Sequence, residues 1–514
     1  MTSLLSLVAV AVFFVLLLGI AAWGLRRTGT VHDFFLGGRT LGPWILAISY
    51  GAAYFSAVIF VGFAGQFGWK FGLQALWVGV ANAVIGGGLA WLVLGRRTRR
   101  MTHNLQAMTI PEFFSARYTS NGLKLLSAAI IFVFLIPYTA SVFKGLAHLF
   151  QIVLGANVPF PAVLAVITGF SFLYVTFGGY KAIARIDFIL GGVILLGSLT
   201  MLLMLLNHFG GLSEVLHRIP ARLADRVALS PQAPLHISKP PAYVLPAVVF
   251  MTSFGVWGLP QMLHKFYAIK DEREITRGAI ITTLFALVIG GAAYLTGAMS
   301  HLMPETLADG TAYPALKNLA NGVHSIDFDK LVPDLIRAVL PRPMLLLILL
   351  LVLSASLSTL SSLVLVSASA ISIDLYKGYL NPNASEKTTL RLMRLLCGLF
   401  ILCAFLLTLH QPSWIVTLMS LSWGAVAGAF LAPYLYGLYN RRATKTGAYV
   451  AMFCGLVVCN GGYLLVASLM GRPQDQALSP VLASAAMVIP LLAMPLADSF
   501  ARKPSKETID RAFR

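Results

Sequence analysis

The chain has 514 residues, 58% hydrophobic and 11% charged, with a mean hydropathy of +0.81 and a formal net charge of +19. Apolar runs of about twenty residues recur from one end to the other, which excludes a soluble globular protein and points to an all-α polytopic membrane protein. A β-barrel would alternate residue by residue in segments of about ten, and that pattern is missing.

Taken in order, the first apolar span covers 4–25, with no charge before it and Arg26 and Arg27 directly after. A signal peptide carries its basic residues in front, so this span reads as a retained helix with its N-terminus outside. Further spans are expected at 43–69, 72–95, 123–153, 159–177, 186–206, 243–263, 278–302, 342–374, 392–409, 413–438, 447–469 and 480–500. Thirteen spans put the C-terminus in the cytoplasm. On that scheme the cytoplasmic segments hold 27 of the 38 Lys and Arg, the outer segments hold 10, and Lys144 lies within a span. That is the asymmetry of the positive-inside rule, and it accounts for the basic charge without nucleic acid. The four cysteines, Cys397, Cys403, Cys454 and Cys459, fall inside apolar spans without metal-ligand spacing.

Two outer loops are long, 207–242 and 303–341, and the second is expected to hold an amphipathic helix near Asp327 to Val339. The inner segment 109–118, TIPEFFSARY, reads as a short interfacial helix. Spans two to six and seven to eleven form two sets of five that enter from opposite sides. Their first members carry the Gly and Pro marks of broken helices, ISYGAAYFSAVIFVGFAG at 48–65 and FGVWGLP at 254–260. A helix broken in lipid leaves backbone groups unpaired at several kcal/mol each, so such breaks line a polar cavity. The expected organisation is a first helix and cytoplasmic linker over 1–42, a five-helix repeat over 43–206, an external loop at 207–242, and a second repeat over 243–438 that includes the loop at 303–341. The last two helices and a short cytoplasmic tail occupy 439–514.

On the span 342–374, Ser354, Ala355, Ser358, Thr359 and Ser362 fall on one helical stripe. Such a stripe offers oxygens to a hard monovalent cation. The other reading is small-residue packing with hydroxyls bonded back to their own helix. Lys144 either meets a carboxylate on a solute or snorkels to the outer interface. A membrane enzyme would need convergent His, Asp, Glu or Cys residues, and the ten histidines are scattered.

DFFLGGRTLGPW at 33–44, the Gly-Ala-Ala-Tyr-Phe-Ser turn at 51–56, IPEFFSARY at 110–118, FGGYKAIARID at 177–187, GVWGLPQMLHKFYAIKD at 255–271 and SASLSTLSSLVLVSASAISIDLYKGYL at 354–380 together resemble the sodium/solute symporter family, that of the proline, pantothenate, sialic acid and sodium/glucose transporters. The resemblance implies about thirteen helices around a leucine-transporter-type five-plus-five inverted repeat. It also implies sodium-coupled symport of a small organic solute, such as an amino acid or carboxylate, into the cell by alternating access. The backbone carbonyls of Ala52, Phe55 and Ala355 and the hydroxyls of Ser358 and Thr359 are the implied sodium ligands, and Asp187 lies on the implied ion path unless it serves as a helix N-cap. The solute candidates are Tyr54, Ser56, Phe254, Trp257 and Leu259 on the broken helices, with Lys144 beside them. Tyr54 stands where the proline transporters carry an acid, and Thr252 and Val256 stand where they carry aromatics. Ala57 and Val58 replace the Glu-Gln pair of the sugar transporters. These departures argue against proline and sugar. The implied partners are sodium, the solute and the lipid of a cell (plasma or inner) membrane, with no cofactor, nucleic acid or obligatory protein partner. The alternative is a proton-coupled carrier of the same fold.

Overall fold

The computed structural model describes residues 4–25, 31, 35, 42–154, 158–229, 235–304, 316–318, 324–410, 414–470 and 478–514. Helix α1 (Leu4–Leu25) precedes α2 (Pro43–Tyr54), which starts with Pro at its first turn, where a missing N–H costs nothing. At Phe55 the backbone becomes extended (φ −102°, ψ 132°) and α2 stops. The chain resumes as α3, formed by Val58–Phe63 and Ala64–Phe71. Gly72, at φ +54°, then supplies the left-handed turn into α4, which runs from Gly72–Ala75 to Arg96–Asn104. Helix α5 (Ile110–Tyr118) opens with a capping box. The Thr109 hydroxyl accepts from the Glu112 N–H, and the Glu112 carboxylate accepts from the Met108 N–H. The expected interfacial helix is therefore present, but Phe113 and Phe114 sink into the protein instead of lying along its surface.

Helices α6 (Asn121–Leu154) and α7 (Phe160–His208) follow. The loop expected at 178–187 is helical in its backbone, so two expected spans run into one another within α7. That segment holds no proline, and its Ala, Lys, Ile and Arg favour helix over loop. The segments expected as outer loops carry α8 (Leu212–Ala228) and, as expected, an amphipathic α12 (Phe328–Val339). Between them lie α9 (Val244–Gly255), α10 (Pro260–Tyr267) and α11 (Glu274–Met299). An antiparallel hairpin of β1 (Leu316–Asn318) and β2 (His324–Ile326), absent from the all-α expectation, precedes α12. Helix α13 (Arg342–Ser369) continues as Ala370–Leu380 and leads to α14 (Glu386–His410) and α15 (Ile415–Tyr439). The last helices are α16 (Lys445–Leu456), which runs on to Met470, α17 (Ser479–Phe500) and α18 (Lys506–Ala512).

Among the described residues ten helical runs are long and apolar enough to cross a membrane, with shorter apolar runs at Val10–Ile20 and Phe160–Thr176. One of the ten, Val58–Asn104, joins residues expected in two spans, so the structure does not reproduce the count of thirteen. Helix α15 is the most enclosed, with 94% of its apolar window buried, while α16 faces outward along most of its length. Small residues let the backbones close up where α3 meets α11. A Cβ on Gly297 would stand 1.8 Å from the Ala64 carbonyl oxygen, and one on Gly68 would stand 2.3 Å from the Gly297 carbonyl carbon.

Gly297→Val is therefore expected to cost about 1–3 kcal/mol or more by overpacking against backbone. It should lower the melting temperature of the detergent-purified protein by several degrees. Gly291→Ala, where a Cβ meets nothing within 4 Å, should melt with wild type. Equal melting of the Gly297 variant would show that α3 and α11 do not pack this closely.

Candidate functional site

The first break is held open by one neighbour. Ending α2 at Tyr54 leaves its last carbonyls without helical partners, and only that of Gly51 is taken up by the Phe55 N–H. Thr359 of α13 sits at this end. Its hydroxyl lies 3.0 Å from the carbonyl oxygen of Ala53, 3.4 Å from that of Phe55 and 3.1 Å from that of Ala355. A hydroxyl has one proton, so it serves one of these acceptors at a time, and the cluster has more lone pairs than donors. One turn earlier, Ser356 accepts the Ala57 N–H at 3.1 Å and so satisfies the start of α3. The Ser56 hydroxyl caps the same end by accepting the Val58 N–H at 3.3 Å. The structure thus gathers Phe55, Ala355 and Thr359, with Ala53 as the α2 carbonyl within reach of Thr359. Ser354 and Ser362 present buried hydroxyls that have no hydrogen-bond partner among the described residues, and Ser358 is buried beside them.

The second break follows from Gly255, Gly258 and Pro260. Leu259 must be extended before a proline, and it is (φ −84°, ψ 121°), so α10 starts afresh at Pro260. The two breaks are tied together. The Tyr54 hydroxyl donates to the Thr252 carbonyl at 2.7 Å, and the Trp257 indole N–H donates to the Ile85 carbonyl at 3.1 Å. Phe254, half-buried, packs its ring 5.3 Å from that of Trp257, and Leu259 is buried. Tyr54, Ser56 and Trp257 therefore have their polar atoms engaged by backbone. Asn82 on α4 is different: its carbonyl oxygen accepts from the Ser253 hydroxyl at 3.0 Å, while its buried amide nitrogen faces the Tyr294 side chain rather than backbone. The sequence reading missed Asn82 because a single Asn in a glycine-rich apolar span carries no spacing signal.

Asp187 is fully buried in mid-helix on α7, so it is not an N-cap. Its carboxylate accepts from the Ser49 hydroxyl of α2 at 2.6 Å and pairs with the Lys265 ammonium of α10 at 3.2 Å, and Lys265 also donates to Ser49 at 2.8 Å. The three groups join α7 to the first half of one broken helix and the second half of the other. The Ser358 side chain of α13 also hydrogen-bonds toward this carboxyl. Lys265 corrects the sequence reading, which placed it in a cytoplasmic segment and took Lys144 as the one basic residue within a span. A signal was present: a helix restarted in mid-membrane at Pro260 needs about ten residues, at about 1.5 Å each, to reach the surface, so its sixth residue lies at depth.

Lys144 of α6 is buried and pairs with Asp329 of α12 at 2.8 Å. It does not snorkel to water; it fastens the outer-loop helix onto the bundle.

Three comparisons bear on this architecture. The chain matches the Sodium:solute symporter family over residues 34–455. It is 29% identical over 453 residues to the osmoregulated proline transporter OpuE of Bacillus subtilis (strain 168), covering 87% of each chain. It is 28% identical over 510 residues to the sodium/pantothenate symporter of Escherichia coli (strain K12), covering 97% of each. A Na+-coupled sialic acid symporter, solved substrate-bound and outward-open, superimposes with a TM-score of 0.72 at 17% identity, covering 96% of this chain and 98% of the other. The fold is thus the leucine-transporter type, and the chain is a transporter rather than an enzyme. With two broken helices, the first met by the hydroxyls of α13, and a family match over most of its length, the chain belongs to the sodium:solute symporter family and carries out sodium-coupled symport of a small solute.

Proposed function

We propose that sodium binds where α13 meets the first break, with the carbonyls of Phe55, Ala355 and either Ala52 or Ala53 and the hydroxyls of Ser358 and Thr359 as its oxygens. The observation that carries this reading is the Thr359 cluster, in which three carbonyls crowd one hydroxyl proton. A cation replaces the missing donors. Its charge also meets the negative end of the α2 half-helix.

The solute is assigned to the space between the paired breaks, bordered by Tyr54, Ser56, Phe254, Trp257 and Leu259, with the amide of Asn82, beside the Tyr294 hydroxyl, as its polar anchor. Proline, pantothenate and sialic acid, the solutes named for the relatives and the structural neighbour, are all carboxylic acids. A small carboxylate suits an amide donor, and the departures at Tyr54, Thr252 and Val256 direct the search beyond proline. Lys144 is left out of the solute site because Asp329 holds it. Residues 43–206 and 243–438 are assigned as the two repeats of an alternating-access cycle; the spaces beside Phe60 and Val332 and beside Thr109 and Pro260 are narrow, each about 10 Å³. The arginine-rich side is assigned to the cytoplasm of a plasma membrane by the positive-inside rule, with the N-terminus outside and the C-terminus inside. At 100 mV each sodium entering contributes about 2.3 kcal/mol from potential alone. Proton coupling through Asp187 is the second reading, supported by its buried carboxylate, but the Lys265 ammonium already neutralises that group.

Uptake into proteoliposomes, with radiolabelled proline, pantothenate, sialic acid and other small carboxylates, should follow an inward sodium gradient. It should fall at least tenfold in the Ser358→Ala, Thr359→Ala double variant. Uptake driven by protons alone, or undiminished without both hydroxyls, would refute the assignment. For the buried pair, Lys265→Met leaves an uncompensated carboxylate and is expected to cost about 3–5 kcal/mol. Adding Asp187→Asn should restore most of the melting temperature. A double variant as unstable as the single would show that the two charges do not depend on each other.

A further inference from the structure

On the arginine-rich side, α4 passes within one turn from lipid-exposed Leu92 to the run Arg96, Arg97, Arg99 and Arg100. An open recess of about 590 Å³ lies there between α4, α11, α15 and residues 512–514. Leu92 and Val93 line it at the lipid-exposed turn of α4, and Arg96, Arg97, Arg100 and Arg514 line it with them. Among the described residues, the acid paired with these arginines is Glu272. It pairs with Arg100 at 3.0 Å and only loosely with Arg96 and Arg99, each at 3.7 Å. Arg97 lies over the Tyr439 ring, 4.8 Å from its centroid, a contact that leaves the guanidinium its charge and its N–H donors. The Arg96 and Arg100 side chains are 64% and 58% exposed, so they are open to a ligand arriving from the membrane surface.

Apolar below and cationic above, at the height where hydrocarbon gives way to water, this recess has the profile of a phospholipid turned inside out. We infer that it seats an anionic glycerophospholipid, with the phosphate held by Arg96, Arg97 and Arg100 and an acyl chain lying along Leu92. Guanidinium groups recognise phosphate through paired N–H donors, and basic pockets between membrane helices bind anionic headgroups. The lipid phosphate shares Arg96 and Arg100 with Glu272. Arg99, which donates to the carbonyls of Ile269 and Lys270, keeps its grip on the turn that follows α10.

The test is native mass spectrometry of the full chain, purified in neutral detergent, stripped of lipid and then offered phosphatidylglycerol or phosphatidylcholine. Phosphatidylglycerol should be retained at least tenfold better. Arg96→Gln with Arg97→Gln should lower its retention about thirtyfold, at about fivefold per arginine near a membrane surface. Lys387→Gln with Arg391→Gln, exposed at the start of α14 and outside the recess, removes the same charge and should change retention less than twofold. Should the first pair fail to fold, Arg97→Gln alone should still give about fivefold. Equal retention of the two lipids, an equal loss in the control pair, or displacement of the lipid by glycerol phosphate at matched concentration would overturn the assignment, the last by showing a site for free anions.

Discussion

Everything in the transport site depends on how one helix deals with the broken ends of another. Interrupting α2 and α3 in mid-membrane exposes carbonyls at one end and N–H groups at the other, and neither has water to turn to. Helix α13 answers both, with Ser356 receiving an N–H and Thr359 facing three carbonyls. The two ends are treated unequally. The N–H end is satisfied, whereas the carbonyl end is left rich in oxygen. On the proposed reading, an ion completes this oxygen-rich end, and that difference lets ion binding shift a conformational equilibrium.

The second constraint is the buried ion pair. Asp187 and Lys265 sit on α7 and α10, and Ser49 of α2 bonds to both. Two charges removed from water together are tolerated because each compensates the other, and separating them would be expensive. Any movement of α10 relative to α7 must therefore carry the pair along or find a substitute partner for the carboxylate. The Ser358 side chain hydrogen-bonds toward the Asp187 carboxylate at this junction, so the proposed ion site and the charge pair are neighbours.

Much of this was legible in the sequence where the chemistry is local. Gly258 and Pro260 dictate the second break, the hydroxyl stripe of α13 shows in its spacing, and the outer amphipathic helix at 328–339 shows in its periodicity. What stayed hidden depends on distant partners. Lys265 reads as the edge of a charged tail until the helix before it is known to begin in mid-membrane. Lys144 reads as a lone charge because Asp329 lies 185 residues away. Ser356 points off the stripe of Ser354, Ser358 and Ser362, and only the position of Ala57 gives it a task. The helical backbone across 178–187 escaped because a Gly-Gly pair and three polar residues look like a loop unless tertiary packing outweighs them.

The most direct test of the central claim, that an ion completes the contact between α13 and the first break, is hydrogen exchange of the purified protein in sodium and in potassium at equal ionic strength. Sodium should slow exchange of the amides around 55–62 and 356–363 together, since an ion held by both segments restrains both, while α16 should be unaffected. Identical exchange of these two segments in sodium and potassium would contradict it.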